Sequence, residues 1–507
     1  MERNNNMSFE HGRSTTVQTD KGLVRGFKKD GVYCFFGLDY AFANRYEVPR
    51  ECEPWEGVKE ATCYGYIAPK ANYGYLGNHI KNPYRHWPMS DHCQNLNVWT
   101  RDIEPGAKKP VFFWLHGGGF SNGSSIEHQA YEGYNLAKYN DVCVVTVNHR
   151  LNVLGYLDLS SFGEKYARSG NLGQLDIIEA LKWAKRNIAA FGGDPDNVTI
   201  LGQSGGGGKV QTIMSMPAAD GLYHKAVIMS GVFYPNNIGQ KQDPEIVRKT
   251  LVNLGYGPDE VEKLETVDHQ KFIAAYNKAA KDSGSRGGLC PVTNEDMPGA
   301  AMDVGFSEYA KKVPMIIGNV FSELRYNFKV NYEREDLSDE EVIKKIEERF
   351  GADKTPRIIE LFRRYFPEKK LYDILYYEYG GLRAGSVALI ERRMKDNCSA
   401  PTYTYMFAPT TGINGGSMAT HSYEIPFFFH NCELIPSNSL EGDATEKVQY
   451  QCNERFANFL RYGNPQLPGQ VEWPACTPGH KPTLIIDDVT RVEDNFDDEL
   501  CKLLKGE

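Results

Sequence analysis

Short, almost unbroken apolar runs recur along the chain, and most end at glycine or a small polar residue. Val111-Phe112-Phe113-Trp114-Leu115 leads through His116 to three glycines, residues 142–147 stop at Asn148, and Val198-Thr199-Ile200-Leu201 stops at Gly202. Residues 226–229, 314–317 and 402–407 follow the same scheme. Between such runs lie stretches with helical spacing. Residues 172–190 carry Leu175, Ile178, Leu181, Trp183 and Ile188, then stop at Gly192-Gly193-Asp194-Pro195. Strands apolar on both faces, separated by helices, predict a mostly parallel sheet covered on both sides, an α/β architecture. Ligands of such a sheet bind beyond the carboxyl ends of its strands.

The remaining bulk properties narrow the function classes. The 507 residues are 41% apolar and 24% charged, as in an ordinary globular protein. No repeat or low-complexity linker divides them, so one domain is expected over 1–507. Two more charged, helical stretches, roughly 235–312 and 330–396, read as insertions capping the sheet. The formal net charge of −9 argues against nucleic acid, where basic residues must neutralise phosphates. No apolar run approaches the ~18 residues of a membrane span. The polar start Met1-Glu2-Arg3-Asn4-Asn5-Asn6 lacks the apolar stretch of a signal peptide, which predicts a cytoplasmic protein. The 11 cysteines include no CxxC pair. That spacing predicts mostly free thiols and no close-spaced zinc site. No metal and no cofactor is implied, and oligomeric state is not legible.

Gly202-Gln203-Ser204-Gly205-Gly206 fits G-x-S-x-G, after an apolar strand and before a segment, 209–216, that can be helical. A sharp strand-to-helix turn exposes the serine hydroxyl at a helix N-terminus, where the dipole favours developing negative charge. A phosphate loop fails at two places: the position six before Lys209 is Gln203, not glycine, and Val210 follows the lysine where a hydroxyl is required. His116-Gly117-Gly118-Gly119-Phe120 lies after another strand. Acyl transfer builds charge on a carbonyl oxygen, and fixed backbone donors there contribute about 3–4 kcal/mol each. The N–H groups of Gly118, Gly119 and Gly205 are the expected donors. His116 itself reads as structural.

These motifs, together with Trp55-Glu56-Gly57-Val58, Cys93-Gln94-Asn95-Leu96-Asn97-Val98-Trp99, Asn148-His149-Arg150-Leu151, Phe191-Gly192-Gly193-Asp194-Pro195 and Gly463-Asn464-Pro465, resemble the type-B carboxylesterase and cholinesterase family, particularly its bacterial carboxylesterases. The resemblance runs over roughly 17–490. It implies the α/β-hydrolase fold and a serine carboxylesterase working on a small-molecule ester through an acyl-enzyme. It also implies the rest of a triad. Glu323 lies in Ile317-Gly318-Asn319-Val320-Phe321-Ser322-Glu323, and His421 precedes Ser422-Tyr423-Glu424-Ile425-Pro426-Phe427. Ser230 matches a family serine that supports the triad.

The chain also departs from the family. The usual elbow is G-E-S-A-G, whereas Gln203 and Gly205 stand here, so a choline ester is a poor expectation. The family's first disulfide would pair Cys93 with a position near Ala68, which has no thiol. The alternatives are a lipase or thioesterase using the same triad, or a relative that only binds partners. The presence of Ser204, Glu323 and His421 weighs against the last.

Overall fold

The computed structural model describes residues 8–70, 87–233, 238–285, 288–324, 332–411, 418–440 and 442–506. The first six residues, on which the expectation about a signal peptide rested, lie outside them. Twelve strands form one sheet. In chain order these are β1 (Phe9–Glu10), β2 (Phe27–Lys29), β3 (Val32–Asp39), β4 (Asn95–Thr100), β5 (Lys109–Leu115), β6 (Cys143–Val147), β7 (Gly193–Gln203), β8 (Lys225–Met229), β9 (Met315–Val320), β10 (Thr402–Phe407), β11 (Pro482–Ile486) and β12 (Arg491–Asp494). Their spatial order is β1-β2-β3-β4-β6-β5-β7-β8-β9-β10-β11-β12.

From β6 to β11 every pairing is parallel, while the flanking strands pair antiparallel. The apolar runs foretold this parallel block except for β11: β5, β6, β8, β9 and β10 are buried along their whole length. Two apolar layers cover it. One packs Phe113, Val145 and Ile200 against the helix α1 (Leu172–Asn187), and the other packs Trp114, Val144 and Leu201 against an aromatic group around Phe429 and Phe456.

Helix α2 (Gly205–Ile213) begins directly at the elbow, ahead of the 209–216 segment read as helical from the sequence. Glycine is a poor helix former, but packing requires it here. A Cβ on Gly206 would sit 2.0 Å from the Leu115 carbonyl oxygen, and one on Gly202 would sit 2.4 Å from the Gly206 carbonyl carbon. The helix therefore lies close against β5 and β7. The charged stretches do contain helices: α3 (Pro244–Asn253) and α4 (His269–Asp282) in the first, α5 (Asp339–Phe350), α6 (Thr355–Tyr365) and α7 (Gly381–Lys395) in the second. Their apolar faces bury Phe272 and Ile273, and Ile346, Ile358 and Phe362. All 11 cysteines are free thiols, and burial raises the Cys93 thiol above its ordinary range. Among the described residues no helix is long and apolar enough to cross a membrane, and no cluster of His, Cys, Asp and Glu is placed to hold a metal.

Candidate active site

The site lies where the sheet's carboxyl ends meet three loops. Ser204 links β7 to α2 with φ 59° and ψ −126°, a backbone conformation costly for a non-glycine residue. The turn is held by its surroundings: the Ser204 N–H donates to the Met229 carbonyl at 2.8 Å, and the Gly208 N–H to the Ser204 carbonyl at 3.1 Å.

Glu323 follows β9, also at positive φ (41°). Its carboxylate is buried, and Oε1 accepts from Asn319 Nδ2 at 3.1 Å and from the Val320 N–H at 3.0 Å. Oε2 meets His421 Nδ1 at 2.7 Å. The loop carrying His421 is fixed beside it, because the His421 N–H donates to the Glu323 carbonyl at 3.0 Å. A carboxylate can only accept, so Nδ1 carries the proton and Nε2 is left as the basic nitrogen.

The structure thus brings Glu323 and His421 into direct contact. It does not place the Ser204 hydroxyl in a hydrogen bond to the imidazole. Instead His421 contacts the residue before the serine: Gln203 Nε2 lies 3.3 Å from Nε2 and 3.5 Å from Nδ1 of the ring. Near-equal distances to both nitrogens put that amide beside the ring, not on the line of the Nε2 lone pair. Ser422 Oγ donates to Gln203 Oε1 at 3.0 Å, so two successive loop residues grip the Gln203 side chain.

The glycine loop after β5 closes the site from the other side. Lys209 Nζ donates to the His116 carbonyl at 2.8 Å, His116 Nδ1 donates to the Gly117 carbonyl at 2.8 Å, and the Asn122 N–H donates to the Gly118 carbonyl at 3.0 Å. In a trans peptide the C=O and the next N–H point opposite ways. Three carbonyls held from behind therefore turn the N–H groups of Gly117, Gly118 and Gly119 outward. Those of Gly118, Gly119 and Gly205 have no acceptor among the described residues. A Cβ on Gly205 would lie 2.3 Å from the Gly119 nitrogen, and one on Gly117 3.5 Å from Ser204 Cβ, so loop and elbow abut. Positive φ at Gly118 (87°) and Gly119 (63°) explains the glycines themselves.

Ser230 was expected beside the triad from the resemblance, whereas Glu424 and Lys209 escaped the sequence reading as functional groups. Ser230, buried and at φ 47°, donates to Glu424 Oε1 at 3.5 Å. Burial, reinforced by the charge of Glu323, raises the Glu424 carboxyl well above the usual range. Lys209 is likewise buried, which lowers its ammonium to about 7 against the opposing field of Glu127. Glu127 is raised to about 7 by burial, opposed first by Lys70 and then by Lys209. Burial also holds His116 and His149, whose rings stack at 5.0 Å, well below the ordinary histidine range. Neither residue type nor spacing announces that such groups are buried. The only sequence signal for Glu424 was its place in the segment after His421.

A cavity of about 500 Å³ opens beside the loop, lined by Ser121, Asn122 and Val153 on one side and by Ile273, Tyr276 and Leu289 on the other.

The profile described as the carboxylesterase family matches residues 13–504. The para-nitrobenzyl esterase of Bacillus subtilis (strain 168) is 30% identical over 511 residues, covering 97% of this chain and 99% of that one. An esterase from the anaerobe Clostridium hathewayi, which can hydrolyze aliphatic aromatic polyesters, superposes with a TM-score of 0.94 at 39% identity, over 98% of this chain and 99% of its own. The Geobacillus stearothermophilus carboxylesterase EST55 superposes with a TM-score of 0.73 at 29% identity, over 96% and 99%. With the family matched across nearly the whole sequence and the α/β-hydrolase fold shared with these esterases, the chain belongs to the carboxylesterase family and is a carboxylic ester hydrolase.

Proposed function

We propose that Ser204 is the nucleophile of a serine carboxylesterase, with His421 as its base and Glu323 orienting the ring. The observation that carries this reading is the buried carboxylate–imidazole pair set beside a strained serine and three glycine amides with no acceptor among the described residues. On substrate binding the Ser204 hydroxyl turns onto Nε2, a contact that often tightens only in the complex. His421 takes the proton, and Oγ attacks the ester carbonyl. The amides of Gly118, Gly119 and Gly205 receive the oxyanion. His421 then protonates the leaving alcohol, and water, activated by the same ring, releases the acid. Glu323 stabilises the imidazolium formed in each half. Gln203 and Ser422 hold the ring edge, and Ser230 with Glu424 packs the floor behind Glu323. The insertion at 235–312 supplies one wall of the cavity, where the acyl or alcohol part of a neutral ester sits. The Clostridium hathewayi relative extends the candidate substrates to aliphatic aromatic polyesters.

The test is hydrolysis of p-nitrophenyl butyrate. Ser204→Ala is expected to lower kcat by about 10⁵–10⁶-fold, and an organophosphate is expected to label Ser204 alone in a peptide map. Full activity in the alanine variant, or label on another residue, overturns the assignment. Activity that jumps only above the solubility limit of a longer ester supports the lipase alternative.

A further inference from the structure

Lys209 has no part in the proton transfers above, yet it is buried without any exposed surface on the helix that starts at the nucleophile. Such an ammonium is costly to bury, and an apolar side chain could fill the same space without that cost. Its Nζ makes one hydrogen bond among the described residues, to the His116 carbonyl at 2.8 Å. That carbonyl is the entrance to the glycine loop. The charged groups around it come from several elements: Glu127 and, beyond it, Lys70 at 3.7 Å from the Glu127 carboxylate, with His116 and His149 stacked alongside.

The two halves of the oxyanion site have separate origins. Gly118 and Gly119 sit after β5, and Gly205 sits after β7. Strand pairing fixes the strands, since Leu115 is the partner of Gly202, but it stops there. Beyond that register, the Lys209 side chain is a direct polar tie from α2 back to the loop. We propose that Lys209 is a positioning residue: its ammonium, reaching from the nucleophile's own helix to the His116 carbonyl, sets the glycine loop so that the Gly118 and Gly119 amides converge with that of Gly205. His116 extends the brace by one peptide, its own ring holding the next carbonyl.

The inference rests on the triad reading, and the test separates the two. The full chain is assayed with p-nitrophenyl butyrate and with an alkyl trifluoromethyl ketone, which forms a tetrahedral adduct bearing an oxyanion. Wild type that neither hydrolyses the ester nor binds the ketone sinks the triad reading itself. With wild type active, Lys209→Met is expected to keep KM within about twofold and to lose kcat ten- to a hundredfold. The ketone Ki should weaken by the factor that kcat/KM falls, because both report the same oxyanion contacts. Lys209→Arg, which keeps N–H donors and charge, is expected to regain at least tenfold over the methionine variant. A folded Lys209→Met with wild-type kcat, or one that loses kcat while ketone affinity holds, overturns the proposal. A measurement on unaltered enzyme covers a methionine variant that does not fold. With ¹⁵N at lysine Nζ, the signal absent from Lys209→Arg must shift when the ketone binds, and a signal indifferent to the ketone also overturns it.

Discussion

At the residue scale, the site divides into what a motif can announce and what only burial creates. Ser204 was legible because G-x-S-x-G after an apolar strand leaves few geometric alternatives. Glu323 and His421 were not: among 66 acids and 12 histidines, resemblance alone selected them. Their pairing depends on two loops, 98 residues apart, meeting at 2.7 Å. Glu424 shows how far burial reaches. Desolvation first, and the Glu323 charge second, hold its carboxyl well above the usual range, so the folded protein gives up that proton at a higher pH than the unfolded chain does. The unfolded chain releases it near pH 4.3 or so. Above that value the folded state binds more protons, and its stability falls as pH rises toward the folded pKa. Glutamine has no proton to lose and still accepts from Ser230. The melting temperature of Glu424→Gln relative to wild type is therefore expected to be higher at pH 8 than at pH 5. Calorimetry at the two pH values decides it, and a difference that stays flat or narrows contradicts a buried, protonated Glu424.

At the scale of elements, the sequence was legible where both faces of a strand are buried, and misleading where exposure mixes residue types or packing overrides propensity. Six of the seven parallel strands were visible because both faces are covered, which leaves mostly apolar side chains, and Thr402–Phe407 was located to the residue; β11 was not read from the sequence. The antiparallel strands at either edge were not seen, since they are short or partly exposed and so mix polar with apolar residues. Helix α2 begins ahead of the 209–216 segment read as helical, and it includes Gly205-Gly206-Gly207-Gly208 although glycine is a poor helix former. These glycines are not equivalent. A methyl group on Gly206 would meet the Leu115 carbonyl at 2.0 Å, backbone that cannot yield, whereas one on Gly208 would meet only Phe120 Cζ at 3.5 Å and the Gly231 carbonyl at 3.7 Å. Gly206→Ala is expected to cost about 3 kcal/mol through overpacking. Gly208→Ala should gain about 0.5–1 kcal/mol from helix propensity. Chemical denaturation of the pair measures both, and equal effects would mean that close approach to β5 does not dictate the glycines.

At the scale of the whole molecule, the parallel block that carries the glycine loop and the elbow is tied to the antiparallel N-terminal part of the chain. Arg150 joins them. It leaves the sheet just past β6, and its Nη1 donates to the Glu47 carbonyl at 2.7 Å in the segment between β3 and β4. Its Nε and Nη2 grip both oxygens of Asp176 on α1 at 2.9 and 2.6 Å, and its backbone N–H donates to the same carboxylate at 2.9 Å. Both side chains are buried, so removing one partner strands a charge that water cannot reach. Asp176→Asn is expected to lose about 3–5 kcal/mol in urea unfolding, with little change in the denaturant slope. Glu499→Gln, which opens an ion pair to Arg357 on the surface, should leave the midpoint where it is, because solvent already screens both charges. Since Asp176 contacts neither Ser204 nor His421, the folded fraction of Asp176→Asn should keep its kcat while unfolding at lower urea. Loss of kcat before any loss of structure would instead mean that this pair sets the geometry of the site, and not only the stability of the frame that carries it.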